Sequence, residues 1–255
     1  MSSLTKSPFL VFALSFLVMW LAARIGFFCR RKQNNLEEDA RQDLDLVVTA
    51  TLTLLGLIIG FSFSMAISRY DQRKNYEEEE ANAIGTEYLR ADLLASADAA
   101  RVRELLKVYL DQRILFYRTS DEQKLQQINA YTAQLQSEMW TAVHAPGGPQ
   151  PAPIPALAVS GMNDVLNSEG YTQAAWWNRI PTAAWCLMAA VAICSNLLVG
   201  FASRRARPGV IRLLVLPFVL CISFFAIADI DSPRRGVILV IPQNLIRLSQ
   251  SLNGR

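Results

Sequence analysis

Four long apolar blocks interrupt an otherwise polar chain. The first runs from Pro8 to Phe28 and carries one charge, Arg24. The second runs from Leu46 to about Ser68, the third from Pro181 to about Ala202, and the fourth from Pro208 to about Ile230. Each approaches the ~20 residues a helix needs to cross a bilayer core. The pattern predicts an all-α polytopic membrane protein with four transmembrane helices in two pairs. Segments 1–68 and 181–231 hold the pairs, 69–180 forms a helical extramembrane domain between spans 2 and 3, and 232–255 is an interfacial C-terminal tail.

The first block reads as an uncleaved anchor. A signal peptide would want a basic start and a shorter apolar core, whereas here the basic cluster Arg30, Arg31, Lys32 follows the apolar run. Basic residues are dense in the two short connections, which carry Arg30, Arg31, Lys32 and Arg41, then Arg204, Arg205 and Arg207. That density leans towards placing both connections in the cytoplasm, with both termini and the middle domain on the other side.

Between the pairs the periodicity stays helical but becomes amphipathic. Val102, Leu105, Leu106, Tyr109 and Phe116 share one face, and Leu125, Ile128, Leu135 and Met139 form a second stripe. No strand alternation occurs. The run from Arg69 to Arg118 has no breaker except Gly85, so span 2 is expected to continue as one long helix. The stretch APGGPQPAPIP, Ala145 to Pro155, must be a loop. A helix from about Ala156 then leads to Trp176 and Trp177, placed where an interfacial aromatic belt is expected. In the tail, Pro242 is expected in the first turn of a short amphipathic helix.

The net charge of +3, without a basic patch interleaved with aromatics, excludes nucleic acid as a partner. The lipid bilayer is the first partner. Three of the four cysteines, Cys186, Cys194 and Cys221, lie in apolar blocks, and Cys29 sits at the edge of one. With one histidine, His144, and no metal-ligand spacing, neither a metal centre nor a disulfide framework is expected. No nucleotide loop or nucleophile elbow is present. The expectation is therefore no cofactor and no enzyme activity.

Several residues stand out inside this frame. Gly56 and Gly60 form a GxxxG spacing that lets another backbone approach, either span 1 or a second subunit. Gly85, close to Ala81 and Ala83, marks a second packing position. Asn196, inside span 3, needs a polar partner, expected on another helix, as packing glue or as pore lining. Phe61, Ser62, Phe63 and Ser64 make a polar–aromatic stretch near the end of span 2. Glu77 to Glu80 point to different sides of a helix, so they read mainly as solvated. The second reading is a cation-attracting vestibule at a pore mouth. Asp229 and Asp231 close span 4 beside Arg234 and Arg235. They read as boundary charges or as ion pairs that lock the tail, with Arg90 or Arg73 as partner.

Three stretches carry a family resemblance: GFSFSMAISRYDQRKNYEEEEANAIGTEYLRADLL from Gly60 to Leu94, MNDVLNSEGYTQAAWWNRIP from Met162 to Pro181, and DIDSPRRGVILV from Asp229 to Val240. With their order and the four-span layout, the chain resembles the bestrophin-like domain family of bacterial membrane proteins. The family name records a distant similarity to bestrophins, pentameric anion channels with four spans per subunit and a pore lined by the second span. The resemblance implies a homo-oligomer in the bacterial cytoplasmic membrane. It makes Phe61, Ser62, Phe63 and Ser64 the candidate pore lining, with ions as the transported class, and places the middle domain in the cytoplasm. The bestrophin calcium-binding acidic cluster does not map onto Glu77–Glu80 residue by residue. A non-transporting membrane scaffold or sensor, working through the helical domain, is the alternative.

Overall fold

The computed structural model describes residues 7–32, 38–144, 155–203 and 210–254. The predicted loop of 145–155 falls almost wholly outside them, as do the connections at 33–37 and 204–209, with Arg204, Arg205, Arg207 and Pro208. Among the described residues every regular element is helical: α1 (Pro8–Lys32), α2 (Glu38–Arg90), a 3-10 turn (Ala91–Leu93), α3 (Ser96–Arg118), α4 (Glu122–Val143), α5 (Pro155–Trp177), α6 (Thr182–Ala202), α7 (Val210–Asp231) and α8 (Gln243–Asn253). Among the described residues four helical stretches are long and apolar enough to cross a membrane: Pro8–Arg30, Asp39–Leu93, Ala156–Ala202 and Leu214–Asp231. The chain divides into two compact units, 1–68 with 179–238, and 69–178 with 239–255.

In the first unit α1 packs on α6 and α7. A Cβ on Gly26 would stand 2.0 Å from the Leu197 carbonyl oxygen, and one on Gly200 would stand 2.0 Å from that of Ala23. The two backbones therefore touch where only glycine fits, the close approach that small residues permit between membrane helices. Asn196, next to Leu197 in α6, is fully buried. Its amide nitrogen bonds the Ala192 carbonyl of its own helix at 2.8 Å. That bond lies within α6 rather than on another helix as expected, and the buried amide oxygen Oδ1 has no hydrogen-bond partner among the described residues. Aromatic contacts join α1 to α7, with Phe12 edge-on to Phe218 and Phe225. The helix α7 continues through Pro217.

The second unit has a conventional apolar core. Val102, Leu106, Tyr109 and Phe116 of α3 are buried with Leu135 and Met139 of α4, Met162 and Val165 of α5, and Leu245 of α8. Both stripes read from the sequence contribute to it. The uninterrupted helix expected from Arg69 to Arg118 does not form. The α-helix ends at Arg90, and Leu94 and Ala95 are extended. No glycine or proline forces that break. It lets α3 return onto α2, where Arg103 donates to the Tyr88 carbonyl and Arg113 meets Glu80. Burying the apolar face of α3 outweighs the few helical hydrogen bonds lost.

Trp176 also departs from expectation. It is buried in this core, edge-on to Phe116 and Tyr117 at 5.2 and 5.3 Å, so it is no part of an aromatic belt. Trp177, 77 % exposed, remains free for that role. Pro242 sits one residue before α8, whose Leu245 and Leu252 are buried.

Candidate functional site

Most of the residues singled out in the sequence lie on α2, while Asn196 is on α6 and Asp229 and Asp231 end α7. At ~100° per residue, a straight helix keeps positions 55, 62, 66, 73, 77, 80, 84, 87 and 91 on one stripe. All nine are buried, from Leu55 through Ser62, Arg73 and Glu77 to Ala91. The first part of this stripe is apolar or small, as packing in lipid requires. Its second part carries four charges, none of which the sequence reading placed inside.

Three of these charges meet a defined partner. Arg73 donates to the carbonyls of Ala175 and Asn178, both at 3.1 Å, where α5 ends. A cation suits the negative end of a helix. Glu77 accepts the backbone N–H groups of Asn244 and Leu245, at 2.9 and 3.0 Å, and the Asn244 side-chain amide at 2.7 Å. It thereby caps α8, a helix whose own N-cap residue, Pro242, supplies no side-chain bond. A carboxylate there satisfies otherwise orphaned donors. Burial pushes the Glu77 carboxyl above its ordinary value, although these bonds oppose the shift.

Glu80 forms a fully buried ion pair with Arg113. Tyr117 and Thr172 donate hydroxyl hydrogen bonds to its Oε2, each at 3.2 Å. Arg113 also approaches Glu169 at 3.5 Å and lies over the Phe116 ring at 4.5 Å. Burial opposes the Arg113 charge, but Glu80 more than compensates and raises its basicity. Burial, reinforced by Glu80, holds the Tyr117 hydroxyl protonated. Glu77 and Glu80 therefore correct the solvated reading of the glutamate run; only Glu78 and Glu79 are exposed. Glu77 and Glu80 are three residues apart, and Arg73 and Glu87 each stand seven residues from Glu80; this helical periodicity was the available signal.

The four candidate pore residues point in four directions. Ser62 is turned into the chain's own interior, while Phe61, Phe63 and Ser64 are exposed on separate faces. Opposite the buried stripe lie Thr53, Gly60, Ser64, Asp71 and Glu78, all exposed. Gly56 and Gly60 have nothing within 4 Å of a built Cβ. Their GxxxG spacing is thus not spent on span 1, one of the two partners expected from the sequence.

Gly85 faces α8, with a built Cβ 3.2 Å from Leu248 Cδ1. Gly85→Leu should lower stability by ~1–3 kcal/mol through overpacking. Thermal unfolding, and faster proteolytic cleavage at Arg247, would report it. Arg90 forms its ion pair with Asp164 at 3.8 Å, on a half-exposed edge worth little.

At the end of α7 the aspartates organise a turn. Asp229 accepts the N–H groups of Val237 and Ile238, both at 2.8 Å. Asp231 accepts that of Ile180 at 3.0 Å. Asp229 is thus held by two backbone amides of the turn it closes, and the Asp231 charge is felt by Arg179 of the same unit. Gly236 has φ of 139° and lies against Asp229, so a side chain there would be strained and would clash. Arg234 is half-buried beside this turn. The DIDSPRRG stretch is thus a built structure, with Asp229 and Asp231 buried.

The fold has solved relatives. A variant of a bacterial bestrophin homologue from Klebsiella pneumoniae is 13 % identical, with a TM-score of 0.64, covering 96 % of this chain and 99 % of that one. The same homologue solved by zinc phasing is 14 % identical with a TM-score of 0.65, covering 95 % and 97 %. A variant of a membrane protein is 15 % identical with a TM-score of 0.67, covering 95 % and 97 %. Among curated proteins none matches. The bestrophin-like domain model matches residues 9–245. With nearly the whole length matched, this chain belongs to the bestrophin-like family of membrane proteins.

Proposed function

We propose that the protein is a homo-oligomeric ion channel of the bacterial cytoplasmic membrane, with α2 of each subunit lining a central pore. The observation that carries this reading is the bare face of α2. Thr53, Gly60 and Ser64 are small or polar, lie within an apolar span, and are left uncovered by the chain's own helices. Lipid is a poor neighbour for such a face, and water in a pore is a good one. The resemblance to bestrophins supplies the oligomeric precedent. Asp71 and Glu78, exposed in the next turns of α2 along the chain, supply carboxylates, and rings of carboxylates favour cations over the anions that bestrophins conduct.

In this reading the helices cross in two pairs, with 69–180 and the tail of 232–255 outside the bilayer. Phe61 and Phe63 flank the pore face and serve subunit contacts, while Ser64 faces the ions. Sizing and symmetry imaging in detergent, followed by flux in proteoliposomes, tests it. A symmetric oligomer is expected to pass Na+ or K+, and Ser64→Trp should cut flux at least ~10-fold without changing oligomer size, by filling the pore. Anion-selective flux would overturn the cation assignment. A monomer, or an oligomer without flux, would overturn the channel and leave the scaffold or sensor reading.

A further inference from the structure

Among the four buried charges of the α2 stripe, Glu87 is the exception. Arg73 meets two carbonyls, Glu77 three donors and Glu80 a guanidinium with two hydroxyls. Glu87 is equally buried, at 0 % exposure, yet neither carboxyl oxygen has a hydrogen-bond partner. Its Oε2 lies against the backbone of α5, where a Cβ built on Gly161 would stand 2.1 Å away. The same Cβ would stand 2.5 Å from Arg90 Nη1, so glycine makes room for the carboxyl group and for the guanidinium beside it.

An ionised carboxylate without donors is costly in such a place, whereas the neutral acid is tolerated. The charged groups around it offset this only in part. Arg90 on α2 favours ionisation, but it pairs with Asp164 of α5, whose own charge opposes ionisation. On α3, Arg103 and Lys107 are turned to the Tyr88 ring, and Arg103 also bonds Asp92 of the 3-10 turn. Helix α8 meets α2 nearby through the apolar Leu248 at Gly85.

We propose that Glu87 is a proton-binding site between α2 and α5, occupied at neutral pH and emptied under alkaline conditions, where its negative charge loosens the α2–α5 packing. Burial is the larger influence and pushes the Glu87 carboxyl up to about 8. Its folded value therefore lies above the ordinary 4.5. Between those limits the folded state holds a proton that the unfolded state has released. Its contribution to stability is complete below about 4.5, falls as pH rises, and is lost above about 8. The proposal concerns this packing and stands whether or not the protein conducts ions.

The test uses the full chain in detergent, with Glu87→Gln as the permanent mimic of the protonated acid. Thermal unfolding is followed from pH 5 to pH 9 in both proteins. The Gln variant is expected to match the wild type at pH 5 and to exceed it progressively towards pH 9. Subtracting the two curves removes the dependence that Glu77 and other carboxylates share. Infrared difference spectra of the wild type supply a readout independent of the variant's folding. A protonated-carboxyl band present at pH 6, lost by pH 9 and missing from the Gln variant is the expected result. Parallel stability curves across the range, or no such band at pH 6, would overturn the proposal.

Discussion

Replacing Glu80 with Gln should destabilise the protein by about 3–5 kcal/mol, the cost of stranding a buried guanidinium. Arg113 is fully buried, and its other carboxylate, Glu169, stands at 3.5 Å and is partly exposed. A Gln side chain keeps the shape but removes the charge. It must also accept hydrogen bonds from Tyr117 and Thr172 while facing a cation that no longer has its counter-ion. The loss would be read as a lower unfolding midpoint in detergent, with earlier proteolysis in residues 69–178. Glu80→Met with Arg113→Met should recover much of it, because a dry apolar pair avoids both desolvation penalties. If the double variant were as unstable as the single one, the pair would not be the source of the effect.

Gly200→Val should be the most damaging change in the first unit. Even the first carbon of a side chain would meet the Ala23 carbonyl oxygen at 2.0 Å, and neither backbone has a flexible end to give way. The helices α1 and α6 must separate or rotate, at a cost of about 1–3 kcal/mol or more for each extra group. The reciprocal change, Gly26→Val, meets Leu197 in the same manner. Both variants should show reduced yield of extractable protein and a lowered unfolding midpoint. Gly56→Val and Gly60→Val, whose surroundings within the chain are open, should leave the isolated subunit's fold intact. In the oligomer these two should weaken assembly, which dilution and sizing would detect. Equal damage at all four glycines would contradict the distinction.

The sequence alone determined the helical class, the four apolar helices and the core faces of α3 and α4. These follow from local composition and periodicity, which act over one or two turns and need no knowledge of the neighbours. It also carried the family, through stretches such as EANAIGTEYLR. What it could not determine was which polar residues go inside. Glu77 and Glu80 look the same as Glu78 and Glu79 along the chain. They are buried because α8, α3 and α5 bring backbone donors, Arg113 and Thr172 to one face of α2 from 92 or 33 residues away, or 168 in the case of Leu245. The break after Arg90 has no local signal, since it is the return of α3 that rewards it. The glycines show the same division. The GxxxG spacing drew attention to Gly56 and Gly60, while the backbones of α1 and α6 touch at Gly26 and Gly200, which share no sequence motif. Close approach is a property of two helices and their crossing, and only the folded chain selects the pair. Burial without a partner, the condition that sets Glu87 apart, is likewise decided by what the rest of the fold fails to bring near it.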